Sequence, residues 1–170
     1  MIFHFNSVKL RKFAKSIEFQ IMQILIINGP NLNMIGKREE KYYGVESFED
    51  ILAELRTDFP EFGLDYFQSN GEGPIIDRIQ AAESDGTQAL VINGGAYSHY
   101  SIAIMDALKT LHVPKVEVHF SNIYARETFR HKSVLSPVCQ GIIAGFGKNS
   151  YRLALEWLKL NKPGKIGFGK

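Results

Sequence analysis

Short apolar runs alternate with amphipathic helical segments through the middle of the chain, and this alternation constrains the fold more than any other feature. Five such runs have the length and composition of strands: QILIIN at 23–28, GLDYFQSN at 63–70, ALVIN at 89–93, KVEVHF at 115–120 and GIIAGF at 141–146. Runs that are apolar at consecutive positions are typical of strands buried on both faces of a parallel sheet.

Segments with helical periodicity lie between these runs. Ser47 and Asp50 form a capping-box pattern ahead of apolar residues spaced three and four apart, which predicts a first helix. Further helices are predicted after Gly73 and Pro74, over 100–111 and over 151–160. Because strands and helices alternate without a hairpin signal, the sequence predicts a doubly wound α/β domain with three layers, α/β/α, around a five-stranded parallel sheet.

The composition restricts the class of protein. The chain has 170 residues, of which 45% are hydrophobic and 22% are charged, which fits one domain with an apolar core. No stretch approaches the roughly 20 apolar residues of a membrane span. The single cysteine, Cys139, has no partner for an internal disulfide. We therefore expect no membrane association and a reducing compartment, the cytoplasm.

Charge is distributed unevenly along the chain. Residues 1–21 carry a net charge of +3 and residues 159–170 carry +4, so the segment between them is acidic. An acidic body is a poor match for a phosphate backbone, and nucleic acid is not an expected partner. We expect 1–21 to lie outside the domain, as a short surface helix or a dispensable leader, 22–160 to form the single domain and 161–170 to be a flexible tail.

Ligands of doubly wound sheets bind beyond the carboxyl ends of the strands, so the loops there are the places to look for function. The loop after the first strand, 29–46, is too long for a routine connection and contains Asn31, Arg38 and Tyr43. Glycines bracket its centre, as in a flap that closes over a small ligand. In the alternative interpretation, Arg38 belongs to a solvated charge cluster.

The loop after the third strand, INGGAYSHYS at 92–101, offers Asn93 and His99 as polar contacts beside two glycines. In the helix that follows, Asp106 is a charged residue on an otherwise apolar segment, and a buried acid there requires a partner. Three interpretations stay open for Asp106: a buried structural hydrogen bond, the polar rim of an oligomer interface, or a ligand contact.

The fourth strand ends with Glu117, His119 and Ser121, alternate positions that share one face. A carboxylate two residues from an imidazole on one face can fix the tautomer of the ring, so His119 is a candidate general acid as well as a candidate structural residue. Arg126 and Arg130 follow, and either of them could clamp a carboxylate or a hydroxyl-rich ligand.

Signals for metals and nucleotides are missing from the sequence. The five histidines lack paired ligand spacing, and neither a Walker loop nor a GxGxxG motif follows the first strand. Cys139 precedes an apolar run and is interpreted as a small core residue rather than a nucleophile. Cofactor-free chemistry on a small polar molecule is therefore the expectation.

Four motifs occur in series: INGPNLN, RxxxxYG, N-x-G-A-Y-x-H and EVHxSNxxARExFR. Together they resemble the type II 3-dehydroquinate dehydratases over about 22–160. The resemblance implies a flavodoxin-like fold, a homo-dodecamer of four trimers and no cofactor. It also implies the reversible dehydration of 3-dehydroquinate to 3-dehydroshikimate, by anti elimination through an enolate, in the shikimate pathway of aromatic amino acid biosynthesis and also in quinate breakdown.

The resemblance assigns catalytic roles to five residues. It makes Tyr43 the base that removes the C2 proton and Arg38 the cation that lets this tyrosine ionise, since an ordinary tyrosine has a pKa of about 10. Asn31 stabilises the enolate through an ordered water. His119 protonates the departing C1 hydroxyl, and Glu117 orients His119.

The resemblance also assigns contacts with the substrate. These contacts come from the side chains of Asn93, His99 and Arg130 and from the backbone amides of Phe120 and Ser121. Asp106 is implied to reach the site from a neighbouring subunit of the trimer.

Two alternatives to this enzyme stay open. One is a flavodoxin-like module that binds flavin or a nucleotide phosphate, although the segment GPNLNMIG at 29–36 lacks the hydroxyl residues of such a loop. The other is a homologue that keeps the assembly and has lost activity.

Overall fold

A computed structural model describes residues 21–36 and 46–161 of the chain. The predicted flap residues Arg38 and Tyr43 lie outside the described residues. So do 1–20 of the predicted leader and 162–170 of the predicted tail.

One parallel sheet forms the centre of the described structure. Its strands are β1 (Met22–Asn28), β2 (Phe62–Gln68), β3 (Ala89–Asn93), β4 (Lys115–His119) and β5 (Gly141–Ala144). Their order across the sheet is β2-β1-β3-β4-β5, and every neighbouring pair is parallel. The order reverses between β1 and β3, where Asn28 is in register with Asn93 at the carboxyl ends. A crevice at this reversal is the usual ligand position in such sheets.

Helices cover both faces of the sheet. They are α1 (Phe48–Asp58), α2 (Glu72–Ala81), α3 (Ile102–Thr110) and α4 (Asn149–Leu160). One apolar cluster contains residues of α1 and α4, such as Ile51 and Leu155, and a second contains residues of α2 and α3, such as Ile79 and Ile104. The predicted three-layer, flavodoxin-like α/β fold is therefore confirmed. No helix in the described part of the chain is long and apolar enough to span a membrane.

The consecutive apolar residues of β1 are explained by this arrangement. Ile24 and Ile26 pack into the cluster of α1 and α4, whereas Leu25 and Ile27 pack into the cluster of α2 and α3. All four are fully buried, because successive side chains of a strand point to opposite faces and helices cover both faces here. The edge strand β5 differs, since Ile142 is 37% exposed.

The helix boundaries differ from the sequence prediction by one to three residues. α2 begins at Glu72, so Gly73 and Pro74, after which the helix was predicted, lie in its first turn. α3 is shorter than the predicted 100–111, because 95–99 form a 3₁₀ turn and Ser101 is the N-cap. The Ser101 side chain accepts a hydrogen bond from Ile104 N. α4 begins two residues before the predicted Tyr151, since its first residues are polar and carry no apolar periodicity.

The predicted capping box at the start of α1 is confirmed. Ser47 Oγ accepts a hydrogen bond from Asp50 N at 3.1 Å, and Asp50 Oδ2 accepts one from Ser47 N at 3.2 Å. Two backbone donors that have no partner within the helix are therefore satisfied.

Replacing Ser47 with alanine should destabilise the fold through α1. We expect Ser47→Ala to lower the free energy of unfolding by about 1 kcal/mol, because the N-cap acceptor is lost. The measurement is urea unfolding at a fixed protein concentration. Ser47→Thr keeps the hydroxyl and should stay close to wild type, whereas equal destabilisation by both variants would contradict the capping role.

Candidate active site

A cavity opens beyond the carboxyl ends of β1, β3 and β4, next to the reversal in strand order. Seven of the sequence-predicted site residues line it: Asn31, Asn93, His99, His119, Phe120, Ser121 and Arg130. Arg126, which the sequence offered as an alternative clamp, lines it too. The structure therefore brings together residues from three separate loops, as expected for a doubly wound sheet.

Behind the cavity wall, Glu117 and His119 form a buried pair on one face of β4. The His119 Nε2 atom lies 2.8 Å from Glu117 Oε1, and the two residues are 5% and 0% exposed. The predicted sharing of a face is confirmed by this contact. Burial raises the pKa of Glu117, but hydrogen bonds from His119, Ser136 and Ser133 outweigh it and hold the pKa below its ordinary value.

The ionised Glu117 fixes how the His119 ring is used. A carboxylate accepts hydrogen bonds only, so His119 Nε2 carries the proton that points to Glu117 Oε1. The Nδ1 atom of His119 is then the ring nitrogen that can exchange a proton with a ligand. This arrangement meets the requirement for a general acid with a fixed tautomer.

His99 lies beside His119 in the cavity wall. The two rings are stacked with centroids 6.0 Å apart and planes 18° apart. His99 Nδ1–H donates to the Lys132 carbonyl oxygen at 2.9 Å, which leaves Nε2 for a ligand. Burial lowers the pKa of His99, and the nearby His119 and Arg130 lower it further against the opposing effect of the Lys132 hydrogen bond. At neutral pH His99 is therefore a neutral hydrogen-bonding group.

Asn31 lies in the loop after β1 with a left-handed backbone, at φ 67°. Asparagine tolerates this conformation better than most residues do. The amide N–H of Asn31 donates to Asn70 Oδ1 at 2.9 Å, and the Asn70 carbonyl oxygen accepts from the Tyr97 hydroxyl at 2.8 Å. The loops after β1 and β3 are thus both attached to the loop after β2.

A buried series of hydrogen bonds orients the side chain of Asn93. Asn93 Nδ2 donates to the Tyr151 hydroxyl at 3.0 Å, and this hydroxyl donates to Asn28 Oδ1 at 2.6 Å. Asn93 Oδ1 accepts from Gly95 N at 3.2 Å. The amide of Asn93 therefore has a fixed orientation where it meets the cavity.

Two arginines bring positive charge to the cavity. Arg130 Nε lies 3.0 Å from Glu127 Oε2, and Arg126 Nε lies 3.5 Å from the same oxygen. Glu127 is shared between the two guanidinium groups, so these three side chains together carry one positive charge, which suits an anionic ligand.

Asp106 is not among the cavity residues of its own chain. Its side chain is 60% exposed on α3 and pairs with Lys109 Nζ at 2.9 Å. The interpretation of Asp106 as a buried structural hydrogen bond is therefore wrong, because the helix face that carries it is open. Tyr100 and Ile102 on the same surface are each 62% exposed.

Comparison with known proteins identifies the family. Residues 22–159 match the family model described as dehydroquinase class II. The chain belongs to the class II dehydroquinase family. A 3-dehydroquinate dehydratase from Prochlorococcus marinus is 55% identical over 137 residues, with 79% of this chain and 94% of the relative covered. One from Caldicellulosiruptor bescii is 52% identical over 139 residues, with coverages of 81% and 96%.

Solved structures of class II dehydroquinases have the same fold. The type II dehydroquinase from Butyrivibrio crossotus matches with a TM-score of 0.79 at 48% identity, covering 81% of this chain and 97% of that chain. The type II dehydroquinase from Propionibacterium acnes matches with a TM-score of 0.77 at 46% identity, covering 81% and 96%.

Sequence reasoning missed several residues that support the dehydroquinase site. Ser133 and Ser136 bond to Glu117, and Tyr151 bonds to Asn28 and Asn93. The serines lie between two predicted strands in a segment without periodicity, so nothing in the sequence marked them. Tyr151 was assigned to the last helix, where its aromatic ring looks like an ordinary core residue.

The surroundings of Cys139 determine how reactive its thiol is. Burial raises the pKa of Cys139 to about 12, so its thiol is a poor nucleophile, and the residue packs against the cluster of α2 and α3. Within 21–36 and 46–161, no group of three histidine, cysteine, aspartate or glutamate side chains is arranged to hold a metal ion.

Proposed function

We propose that the protein is a 3-dehydroquinate dehydratase that removes water from 3-dehydroquinate in the shikimate pathway. Family membership supports the substrate and the reaction class, hydro-lyase. The observation that carries the chemistry is the buried Glu117–His119 pair, whose imidazole lines a cavity with Asn31, His99 and Arg130.

The reaction needs three groups around one carbocyclic ring. A base removes the C2 proton beside the ketone, the electron pair forms an enolate, and an acid protonates the C1 hydroxyl as it leaves as water. The product is a conjugated enone, 3-dehydroshikimate. Charge develops on the enolate oxygen, so hydrogen-bond donors held in place there lower the barrier most effectively.

His119 is the proposed general acid. Its Nε2–H bonds to the ionised Glu117, so the proton that the ring transfers to a ligand is the one on Nδ1. Proton transfer from Nδ1 to the C1 hydroxyl oxygen leaves a neutral ring with Nε2–H still on Glu117. Glu117 acts through His119, because it does not itself line the cavity.

Tyr43 is the proposed base, with Arg38 as the cation that lowers its pKa, and Asn31 is proposed to hold the enolate through a water. The loop that contains Arg38 and Tyr43 departs next to the cavity wall at Ile35 and rejoins the described chain at residue 46. In the sequence, Tyr43 is three positions before Glu46. This connection supports the proposal of a flap that closes over the cavity lined by His119.

The remaining cavity residues are proposed to bind the substrate. Backbone amides of Phe120 and Ser121, directly after β4, suit the carboxylate, and Arg130 adds positive charge nearby. His99, neutral and with Nε2 open to the cavity, suits a ring hydroxyl, as does the amide of Asn93.

We propose that the active unit is a trimer within a dodecamer, located in the cytoplasm, with Asp106 reaching the cavity of a neighbouring subunit. The exposed position of Asp106 supports this role, because its own chain does not use it in the cavity. Tyr100 and Ile102 supply apolar surface on the same face, as subunit interfaces require.

The direct test is an ultraviolet assay for enone formation from 3-dehydroquinate, without added metal. Wild-type protein should turn over, and His119→Gln and Tyr43→Phe should each lower kcat by about 10²- to 10⁴-fold, the usual contribution of a general acid or base. His112→Gln is the control, since His112 is 82% exposed and pairs with Glu83 away from the cavity. An inactive wild-type protein, or a His119→Gln variant with full turnover, would contradict the proposal.

The shared site predicts complementation between two inactive variants. Asp106→Ala and His119→Gln should each be nearly inactive, whereas trimers co-assembled from equal amounts should recover about a quarter of wild-type activity, because one site in four then combines both intact residues. Assemblies that are mixed without subunit exchange serve as the control. Full activity of Asp106→Ala alone, or no recovery on co-assembly, would refute the role of Asp106 across the interface.

A further inference from the structure

The segment between β4 and β5 contacts the groups that orient both cavity histidines. We call Lys132–Ser136 the serine loop. Its Lys132 carbonyl oxygen accepts the Nδ1–H of His99, and its two serines bond to Glu117. Neither Ser133 nor Ser136 lines the cavity, so any influence of these serines on a ligand passes through Glu117.

The two serines complete the hydrogen bonding of a carboxylate with no solvent contact. Glu117 Oε1 accepts from His119 Nε2 at 2.8 Å and from Ser133 Oγ at 2.7 Å. Glu117 Oε2 accepts from Ser136 Oγ at 2.5 Å and lies 2.9 Å from Ser133 Oγ. Both oxygens are occupied, so the plane of the carboxylate is fixed.

Ser133 is itself oriented by the backbone of the serine loop. Its Oγ accepts from Leu135 N at 3.1 Å and from Ser136 N at 3.2 Å. With both acceptor positions used, its single hydroxyl hydrogen points toward Glu117, whose oxygens are closer than the alternative acceptor, the Ser98 carbonyl oxygen at 3.3 Å. The fully buried Leu135 anchors this arrangement in the core.

We infer that Ser133 and Ser136 are positioning residues for the dehydration, which hold the Glu117 carboxylate in the orientation that fixes the His119 imidazole. This inference rests on the proposed function. The serines donate two of the hydrogen bonds that keep Glu117 ionised in a fully buried position. Without them, the carboxylate could rotate away from His119 Nε2 or take up a proton.

The effect of losing the serines on pH dependence has a definite sign. The titratable groups that face Glu117 are His119 on β4, His99 in the turn 95–99 and Cys139 beyond the serine loop. Hydrogen bonds from His119, Ser136 and Ser133 lower the pKa of Glu117 against the effect of burial. Removing two of these donors raises the pKa, so Glu117 becomes protonated at a higher pH as the solution is acidified.

The experiment compares Ser133→Ala, Ser136→Ala and the double variant with wild type by kcat, KM and the pH profile of kcat. We expect the double variant to lose at least about tenfold in kcat, part of the roughly 10²- to 10⁴-fold contribution of a general acid, with little change in KM. The acid limb of its profile should move to higher pH. Ser133→Thr keeps the hydroxyl, so, unlike Ser133→Ala, it should have the kcat and the pH profile of wild type.

Thr87→Val is the matched control. Thr87 Oγ1 donates to Asp85 Oδ1 at 2.6 Å in the turn before β3, so this variant also removes a hydroxyl-to-carboxylate bond, but at the opposite end of the sheet from the cavity. It should leave kcat and the pH profile unchanged. If the double variant fails to fold, the two single variants still test the inference, because each keeps one serine donor to Glu117.

A readout that needs no substrate separates this inference from the proposed function. The imidazole ¹⁵N shifts of His119 report its tautomer and protonation, and we expect them to change in Ser133→Ala and not in Thr87→Val. Inactive wild-type protein with these shift changes would refute the proposed function alone. Active variants with wild-type kcat, pH profile and His119 shifts would overturn the positioning role of the serines.

Discussion

The buried pair of Glu117 and His119 is the interaction on which the rest of the site depends. Removing a carboxylate from water costs several kcal/mol unless hydrogen bonds compensate for the lost hydration. Here His119, Ser133 and Ser136 supply those bonds, and the compensation is large enough to hold the pKa of Glu117 below its ordinary value despite complete burial. A charge stabilised in this way fixes the adjacent imidazole, because the Nε2–H of His119 donates to Glu117 Oε1.

The fold places this pair where a ligand can reach it. β4 lies next to β3, and β3 meets β1 at the reversal in strand order, so three loops converge beyond the carboxyl ends. The register of Asn28 with Asn93 lets Tyr151 of α4 bond to both asparagines beneath the cavity. The floor of the site is therefore as fixed as its wall.

Much of this could be predicted from the sequence, because the relevant signals are local. Consecutive apolar residues gave the buried strands, Ser47 with Asp50 gave the capping box, and the spacing of two between Glu117 and His119 placed both on one face. The serine donors could not be predicted, because their distances to Glu117 depend on how the serine loop returns to the sheet, 16 to 19 residues further along the chain. The exposure of Asp106 depends on tertiary packing too, which is why its sequence left three interpretations open.

The most direct test of the central claim is the kcat of Glu117→Gln, which keeps the size of the side chain and removes its charge. If the ionised Glu117 holds His119 as the general acid, kcat should fall by about 10²-fold or more while KM changes little. Glu83→Gln is the matched control, since Glu83 bonds to the exposed His112 outside the cavity, and it should leave kcat at the wild-type value. A Glu117→Gln variant that turns over as fast as wild type would show that the buried charge does not control the reaction.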